Sequence, residues 1–283
     1  MKCLLCPRKC GVDRTKNSGV CGATYTVKIA KYSLFSYEEP CISGNGGSGA
    51  IFFSSCSLKC VFCQNYEIST LNQGNVYSVE QLADIFQELE QKGADNINLV
   101  NPTHYVDQII QAFNIYKPQI PIVYNSHGYE NLETLDKIAP YVDVFLPDFK
   151  YFSNSSAKQF SNCVNYVETV KNAIIKMRSL KQDIFVDGMI KSGVIIRHMI
   201  MPLLTDESIK ILEWVQQNMP QTKVSLMAQY TPYAKACEYK QINRKITKRE
   251  YNKVVDKYLE LGLDGFVQGM ESAETLYIPK WDI

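Results

Sequence analysis

Short apolar runs alternate with capped, amphipathic segments along most of this 283-residue chain, and that alternation narrows the fold more than any other feature. After Ala50-Ile51-Phe52-Phe53, residues 96–100, 121–124, 142–146, 194–200, 224–228 and 265–267 read as strands. They are short, rich in β-branched or aromatic residues, and bounded by Pro, Gly or polar residues. Most are apolar on both faces, the pattern of a parallel sheet covered by helices. Ser78 with Gln81 forms a capping-box signature ahead of Leu82, Ile85, Phe86 and Leu89, and Gly93 stops that helix. Thr247 with Glu250 opens another that ends at Gly262, and Thr205-Asp206-Glu207 starts a third. The repetition predicts parallel βαβ units of an α/β protein. Six or seven units suffice for a full or partial (β/α) barrel of parallel strands. Residues 1–45 are expected to form a small cysteine-rich, metal-binding extension, and 46–283 the barrel core with C-terminal βα elements.

In such barrels chemistry sits at the C-terminal ends of the strands. Here those ends carry Cys56, Asn101-Pro102-Thr103-His104, Asn125-Ser126-His127-Gly128-Tyr129, Asp148 with Lys150, Arg197-His198 and Gln229-Tyr230. Each taken alone has a bland reading: a polar residue there can cap the next helix, as Thr103 is expected to do, and a lone histidine is more often structural than catalytic. Their concentration at one rim predicts one site.

Cys56, Cys60 and Cys63, spaced C-x3-C-x2-C, follow the first strand of the predicted barrel. A structural zinc site normally closes with four protein ligands, and an ordinary iron–sulfur cluster takes four cysteines. Three thiolates would leave one iron of a cube open to a small molecule. The competing readings are three buried cysteines or a zinc knuckle; three cysteines within eight residues after a strand favour a cluster.

Bulk properties exclude several classes. With 30 Lys+Arg against 29 Asp+Glu the formal net charge is +1, so nothing announces a nucleic-acid or membrane-surface partner. The start lacks the apolar core of a signal peptide, and no run approaches the roughly 18 apolar residues of a spanning helix. A reducing, cytoplasmic location is expected. There, clustered cysteines read as metal or redox chemistry. Four more of them, Cys3, Cys6, Cys10 and Cys21, form C-x2-C-x3-C-x10-C. They are a complete ligand set for Zn²⁺ or a second iron–sulfur cluster, and the spacing does not choose. Cys41 completes or flanks that site, while Cys163 and Cys237 read as structural. The glycine-rich run 44–49 reads as a flexible lead into the first strand.

Several segments together resemble the PflX-like group of the radical S-adenosylmethionine (radical SAM) superfamily, similar to pyruvate formate-lyase activating enzymes. They are Cys3 through Val12, Gly19-Val20-Cys21-Gly22, Glu38 through Gly44, Cys56 through Asn65, Asn96 through His104, Leu146 through Lys150, Ile196-Arg197-His198 and Gln229 through Pro232. The resemblance implies a barrel of radical SAM type and a [4Fe–4S] cluster on Cys56, Cys60 and Cys63. The open iron would be chelated by S-adenosyl-L-methionine, and the reaction would be reductive cleavage to a 5′-deoxyadenosyl radical that abstracts hydrogen. It further implies oxygen sensitivity and a low-potential donor such as flavodoxin or ferredoxin. Phe62 would shelter the adenine. Asn98 through Thr103 stands where many relatives carry Gly-Gly-Glu, so Asn101 and Thr103 are expected to meet the methionine amino group instead. Asn125 and Ser126 are placed for the ribose, and Arg197 for the methionine carboxylate; the alternative for Arg197 is an ion pair with Asp148.

Three functions compete. One is activation of a glycyl-radical partner protein by hydrogen abstraction from a backbone glycine. Another is radical modification of a small molecule or peptide. The third, from a different class, is a non-catalytic iron–sulfur electron carrier or zinc protein, against which the polar rim and the open three-cysteine motif argue.

Overall fold

The computed structural model describes residues 2–273 and 281. Among them ten strands share one sheet: β1 (Val27–Phe35), β2 (Ser48–Phe53), β3 (Asn75–Tyr77), β4 (Asn96–Val100), β5 (Ile122–Ser126), β6 (Val144–Pro147), β7 (Ile184–Val186), β8 (Met189–Met199), β9 (Lys223–Met227) and β10 (Gly265–Val267). The order is β10-β9-β8-β6-β5-β4-β2-β1-β3, with β7 on β8. From β2 to β10 every neighbour in that order is parallel. β1 adds to β2, β3 to β1 and β7 to β8 in antiparallel fashion. Because β2 and β10 do not pair with each other, the seven parallel strands make a partial barrel.

The helices are α1 (Pro40–Ser43), α2 (Tyr66–Ser69), α3 (Val79–Gln91), α4 (Val106–Ile115), α5 (Leu132–Ile138), α6 (Asn154–Ser161), α7 (Tyr166–Leu180), α8 (Thr205–Asn218) and α9 (Lys248–Glu260). Both capping boxes form as the sequence predicts. Gln81 N–H donates to Ser78 Oγ at 3.2 Å while Ser78 N–H donates to Gln81 Oε1 at 2.8 Å, and Thr247 with Glu250 repeats the exchange on α9. α8 begins at Thr205, without a side-chain cap.

Alternation along each strand makes two apolar faces. Outward, Leu99, Tyr124, Phe145, Ile196 and Leu226 join Phe86, Ile109, Val170, Ile174 and Val215 of the helices in one large buried cluster. Each such side chain is worth about 1.5–3 kcal/mol over its exposed state. Inward, Val123, Val144, Leu146, Ile190 and Ile195 form a second, smaller cluster with Cys41 and Ile42 of α1. That contact explains α1: a single helical turn folded into the lumen at the N-terminal ends of the strands. Asn96 Nδ2 donates to Ile42 O at 2.6 Å, and Asp95 Oδ2 accepts from Gly46 N–H at 2.7 Å. The glycine-rich run is therefore a packed turn and not a loose lead. A Cβ on Gly44 (φ 52°) would lie 2.3 Å from Asp95 Oδ2, so only glycine fits without displacing that carboxylate.

The amino-terminal segment lies on the opposite, C-terminal end of the barrel. Asn131 Nδ2 and Thr134 Oγ1 donate to the carbonyls of Leu4 and Leu5 at 2.7 and 2.8 Å. Arg8 Nε donates to Ser57 O at 3.0 Å, and the Arg14 guanidinium donates to the carbonyls of His104 and Thr24. β1, by contrast, belongs to the barrel's own sheet. No helix among the described residues is long and apolar enough to cross a membrane.

Candidate active site

The lumen holds a cavity of about 520 Å³, within the range of small-molecule sites. Cys56, Cys60, Cys63, Phe62, Asn101, Asn125, Ser126 and Arg197 all line it, so tertiary structure unites residues spread over 140 positions. Cys56 follows β2, whose buried Ile51, Phe52 and Phe53 anchor the loop. Leu58 N–H donates to Cys56 Sγ at 3.4 Å, Ser69 Oγ to Cys63 Sγ at 3.3 Å, and Ser161 Oγ to Cys60 Sγ at 2.9 Å. Burial raises the pKa of all three thiols, that of Cys63 to about 12. As thiolates they need a compensating positive charge. Phe62 is buried edge-on to Tyr230, with ring centroids 5.8 Å apart.

Thr103 is not where a cofactor contact or a helix cap would place it. It lies outside the cavity lining, is 1% exposed, and donates its hydroxyl to Glu130 Oε1 at 2.6 Å. Nor does it cap the following helix. Asn101 does reach the cavity, from a left-handed backbone (φ 59°). Its Nδ2 donates to Ser55 O at 2.6 Å, which leaves Oδ1 buried without a partner.

Arg197 is committed to protein partners. Its Nε donates to Asp148 Oδ1 at 2.9 Å, Nη1 to Glu38 Oε2 at 3.2 Å, and Nη2 to Asn125 Oδ1 at 2.6 Å. The ion pair with Asp148, the alternative in the sequence, is the arrangement present. Lys150 Nζ takes the other Asp148 oxygen at 2.5 Å. Burial works against the Asp148 charge, but Arg197 and Lys150 outweigh it and hold the carboxyl below its ordinary range. For Glu38 burial wins despite Arg197, lifting it to about 7. Glu38 and Glu39, which precede α1, also line the cavity. Nothing local in the sequence marks either for a role, although they stand in a conspicuous Glu38-Glu39-Pro40-Cys41 run.

The three histidines are held neutral, and of them His127 lines the cavity. His104 Nε2 meets Ser54 O at 2.7 Å, and His198 bridges Phe149 O and Ser208 Oγ at 2.7 and 2.8 Å. His127 Nδ1 accepts from Tyr129 N–H at 3.1 Å, which places its proton on Nε2, 2.9 Å from Ser57 Oγ. Burial pushes His104 and His127 down to about 3, and His198 to about 4.

Cys3, Cys6, Cys10 and Cys21 lie apart from the cavity lining. Cys21 O accepts from Cys56 N–H at 3.4 Å, linking that segment to the cavity loop, and Ala23 N–H donates to Cys21 Sγ at 3.4 Å. Among the described residues no three Cys, His, Asp or Glu side chains are gathered as for a single metal ion. Cys41 belongs to the lumen plug, away from that segment.

Comparison with known proteins adds the family. The family model described as the radical SAM superfamily matches residues 50–215. An uncharacterized protein of Methanocaldococcus jannaschii is 29% identical over 272 residues, covering 93% of this chain and 75% of that protein. Among solved structures, Streptococcus suis SuiB bound to its precursor peptide SuiA superposes with a TM-score of 0.53 at 13% identity. That match covers 76% of this chain and 46% of SuiB. SuiB bound to S-adenosylmethionine gives 0.51 at 13% identity, over 76% and 48%. The chain thus spans about half the length of SuiB, with which it shares the fold. A model covering more than half of the chain, on a partial parallel barrel with a C-x3-C-x2-C loop at its cavity, establishes that this protein belongs to the radical SAM superfamily.

Proposed function

We propose that the protein is an enzyme that cleaves S-adenosylmethionine reductively and uses the product to abstract hydrogen from a small polar molecule held in the lumen. One observation carries the reading: Cys56, Cys60 and Cys63 reach one cavity together. The residues fit a [4Fe–4S] cluster. The donor set is three thiols whose sulfurs each accept a hydrogen bond, in a buried place where thiolates require metal charge. When bound, the cluster and S-adenosylmethionine supply one-electron cleavage of a C–S bond and hydrogen abstraction from an unactivated carbon.

The chain's own part is to bind, orient and exclude water. Phe62 and Tyr230 make an apolar wall at the cluster loop. The unpartnered Asn101 Oδ1 is an acceptor suited to an ammonium or hydroxyl of the cofactor, whereas the Ser126 hydroxyl is already bonded to Gly128 N–H and to Glu130. Arg197 holds Asp148, Glu38 and Asn125 in place, leaving the methionine carboxylate to other donors. The acidic lumen floor favours a small polar substrate over a glycyl-radical partner. A backbone glycine brings no cationic donor to Glu39, whose Oε2 is buried without a hydrogen bond. A flavodoxin- or ferredoxin-type donor is proposed as the source of the electron, and the four amino-terminal thiols as a second metal site that closes on loading.

The test is anaerobic reconstitution, dithionite reduction and measurement of 5′-deoxyadenosine. Wild type should form it and Cys60→Ala should not; product retained in Cys60→Ala would remove the cluster assignment. Glycine-radical formation on a protein partner, read by paramagnetic resonance, would instead establish the activating reading.

A further inference from the structure

The floor of the lumen contains a carboxylate, that of Glu39, whose Oε2 is buried and unbonded. Glu39 is the residue before α1. It makes no cap here. It lines the cavity instead, 7% exposed, with Oε2 buried and without a hydrogen bond. The neighbouring cations are already engaged. Arg197 lies close enough for its charge to be felt at Glu39, but its donors are directed to Asp148, Glu38 and Asn125. Lys150 is paired with Asp148. Among the described residues no ion pair reaches Glu39.

The same bias runs through the cavity. Its buried unpartnered side-chain atoms are Glu39 Oε2, Asn101 Oδ1 and Gln268 Oε1, all acceptors. The two amides are oriented by what their nitrogens do: Asn101 Nδ2 donates to Ser55 O and Gln268 Nε2 to Gln229 Oε1 at 3.3 Å. A molecule filling this space must therefore bring donors. At the floor the Arg197 charge reaches Glu39 but no N–H does, so a cationic donor would supply the hydrogen bond that Glu39 Oε2 lacks.

We propose that Glu39 is a substrate-binding residue and that the substrate is a small molecule carrying a protonated amine, seated on the α1 plug with its ammonium on the Glu39 carboxylate. This deepens the functional reading above and rests on it. The ammonium supplies three N–H donors and a point charge. Glu39 enters from the N-terminal end of the barrel, whereas the cysteine loop enters from the C-terminal end, so amine and S-adenosylmethionine would bind side by side.

The experiment titrates anaerobically reconstituted wild-type protein with n-butylamine and 1,4-diaminobutane, with 1-butanol as the neutral counterpart, by calorimetry with and without saturating S-adenosylmethionine. At least one amine should bind tenfold or more tightly than the alcohol, together with S-adenosylmethionine, and Glu39→Gln should weaken it at least tenfold. Amine binding no better than the alcohol, or unchanged in a folded Glu39→Gln, would overturn the proposal. So would competition between amine and S-adenosylmethionine, which would place Glu39 on the cofactor. The wild-type comparison of amine with alcohol needs no variant, so a misfolded Glu39→Gln leaves it decisive. Failure of the radical reading would show separately, as absence of 5′-deoxyadenosine from wild type.

Discussion

Replacing Arg197 with Met tests whether this guanidinium is the keystone of the lumen. It retains most of the side-chain volume while removing the charge and three hydrogen bonds to Asp148, Glu38 and Asn125. Its side chain is 16% exposed, against 9% for Glu38 and 14% for Asp148, so solvent does little to soften the loss. Removing one partner of a buried ion pair costs about 3–5 kcal/mol, because the other charge stays buried and uncompensated. Asp148 keeps Lys150 and Glu38 keeps Asn98, at 3.0 Å, which puts the expectation near the lower end, about 3 kcal/mol. At about 2–4 °C per kcal/mol for a domain of around this size, the melting temperature should fall by about 6–12 °C. The assay is thermal unfolding of wild type and Arg197→Met in the same metal-loading state at pH 7.5, followed by circular dichroism. Glu38→Gln combined with Arg197→Met should recover about half the loss, since it removes the carboxylate left without a cation. A fall below 2 °C in Arg197→Met, or no recovery in the double variant, would refute the keystone reading and return Arg197 to the ligand.

The raised pKa of Glu38 sets a pH dependence. With its folded value near 7 against an ordinary 4.5, the folded state binds the extra proton, so stability falls as pH rises through that window. Melting curves from pH 5 to 8 should show a downward slope that is reduced in Glu38→Gln; an equal slope in both would sink the assignment. Gly128→Ala should destabilise by about 1–3 kcal/mol, because Gly128 has φ 74° and an added Cβ would lie 2.3 Å from the Asp148 carbonyl oxygen. Chemical denaturation measures this, and a change under 0.5 kcal/mol would contradict the packing described. Cys6→Ala should lower bound zinc or iron while leaving the metal on Cys56, Cys60 and Cys63. Metal analysis with unchanged totals would remove the second site.

How much of this was legible in the sequence differs by feature. The parallel strands were, because Ile97, Val123, Val144, Ile195 and Leu226 sit in short runs apolar on both faces, and only a doubly covered sheet makes such runs stable. The Ser78–Gln81 and Thr247–Glu250 caps were too, since they close within four residues. β1 carried its signal in the alternation of Val27, Ile29 and Lys28, but the nearby cysteines drew that stretch into a separate extension. Thr103 looked like a cap by position, and its hydroxyl went to Glu130, 27 residues on.

By itself, then, the sequence determined the barrel class and the three-thiol loop, because hydrophobic periodicity and a short ligand spacing are local properties. Tertiary structure alone decided which charges meet. Glu38, Asn125, Asp148 and Arg197 come from four separate stretches of the chain and become one network only when the strands close around the lumen. The role of α1 was equally hidden, since four residues carry no periodicity. Its plug position follows from Cys41 and Ile42 finding an apolar surface inside the barrel, and that burial is what leaves Glu39 facing the cavity with its Oε2 unbonded.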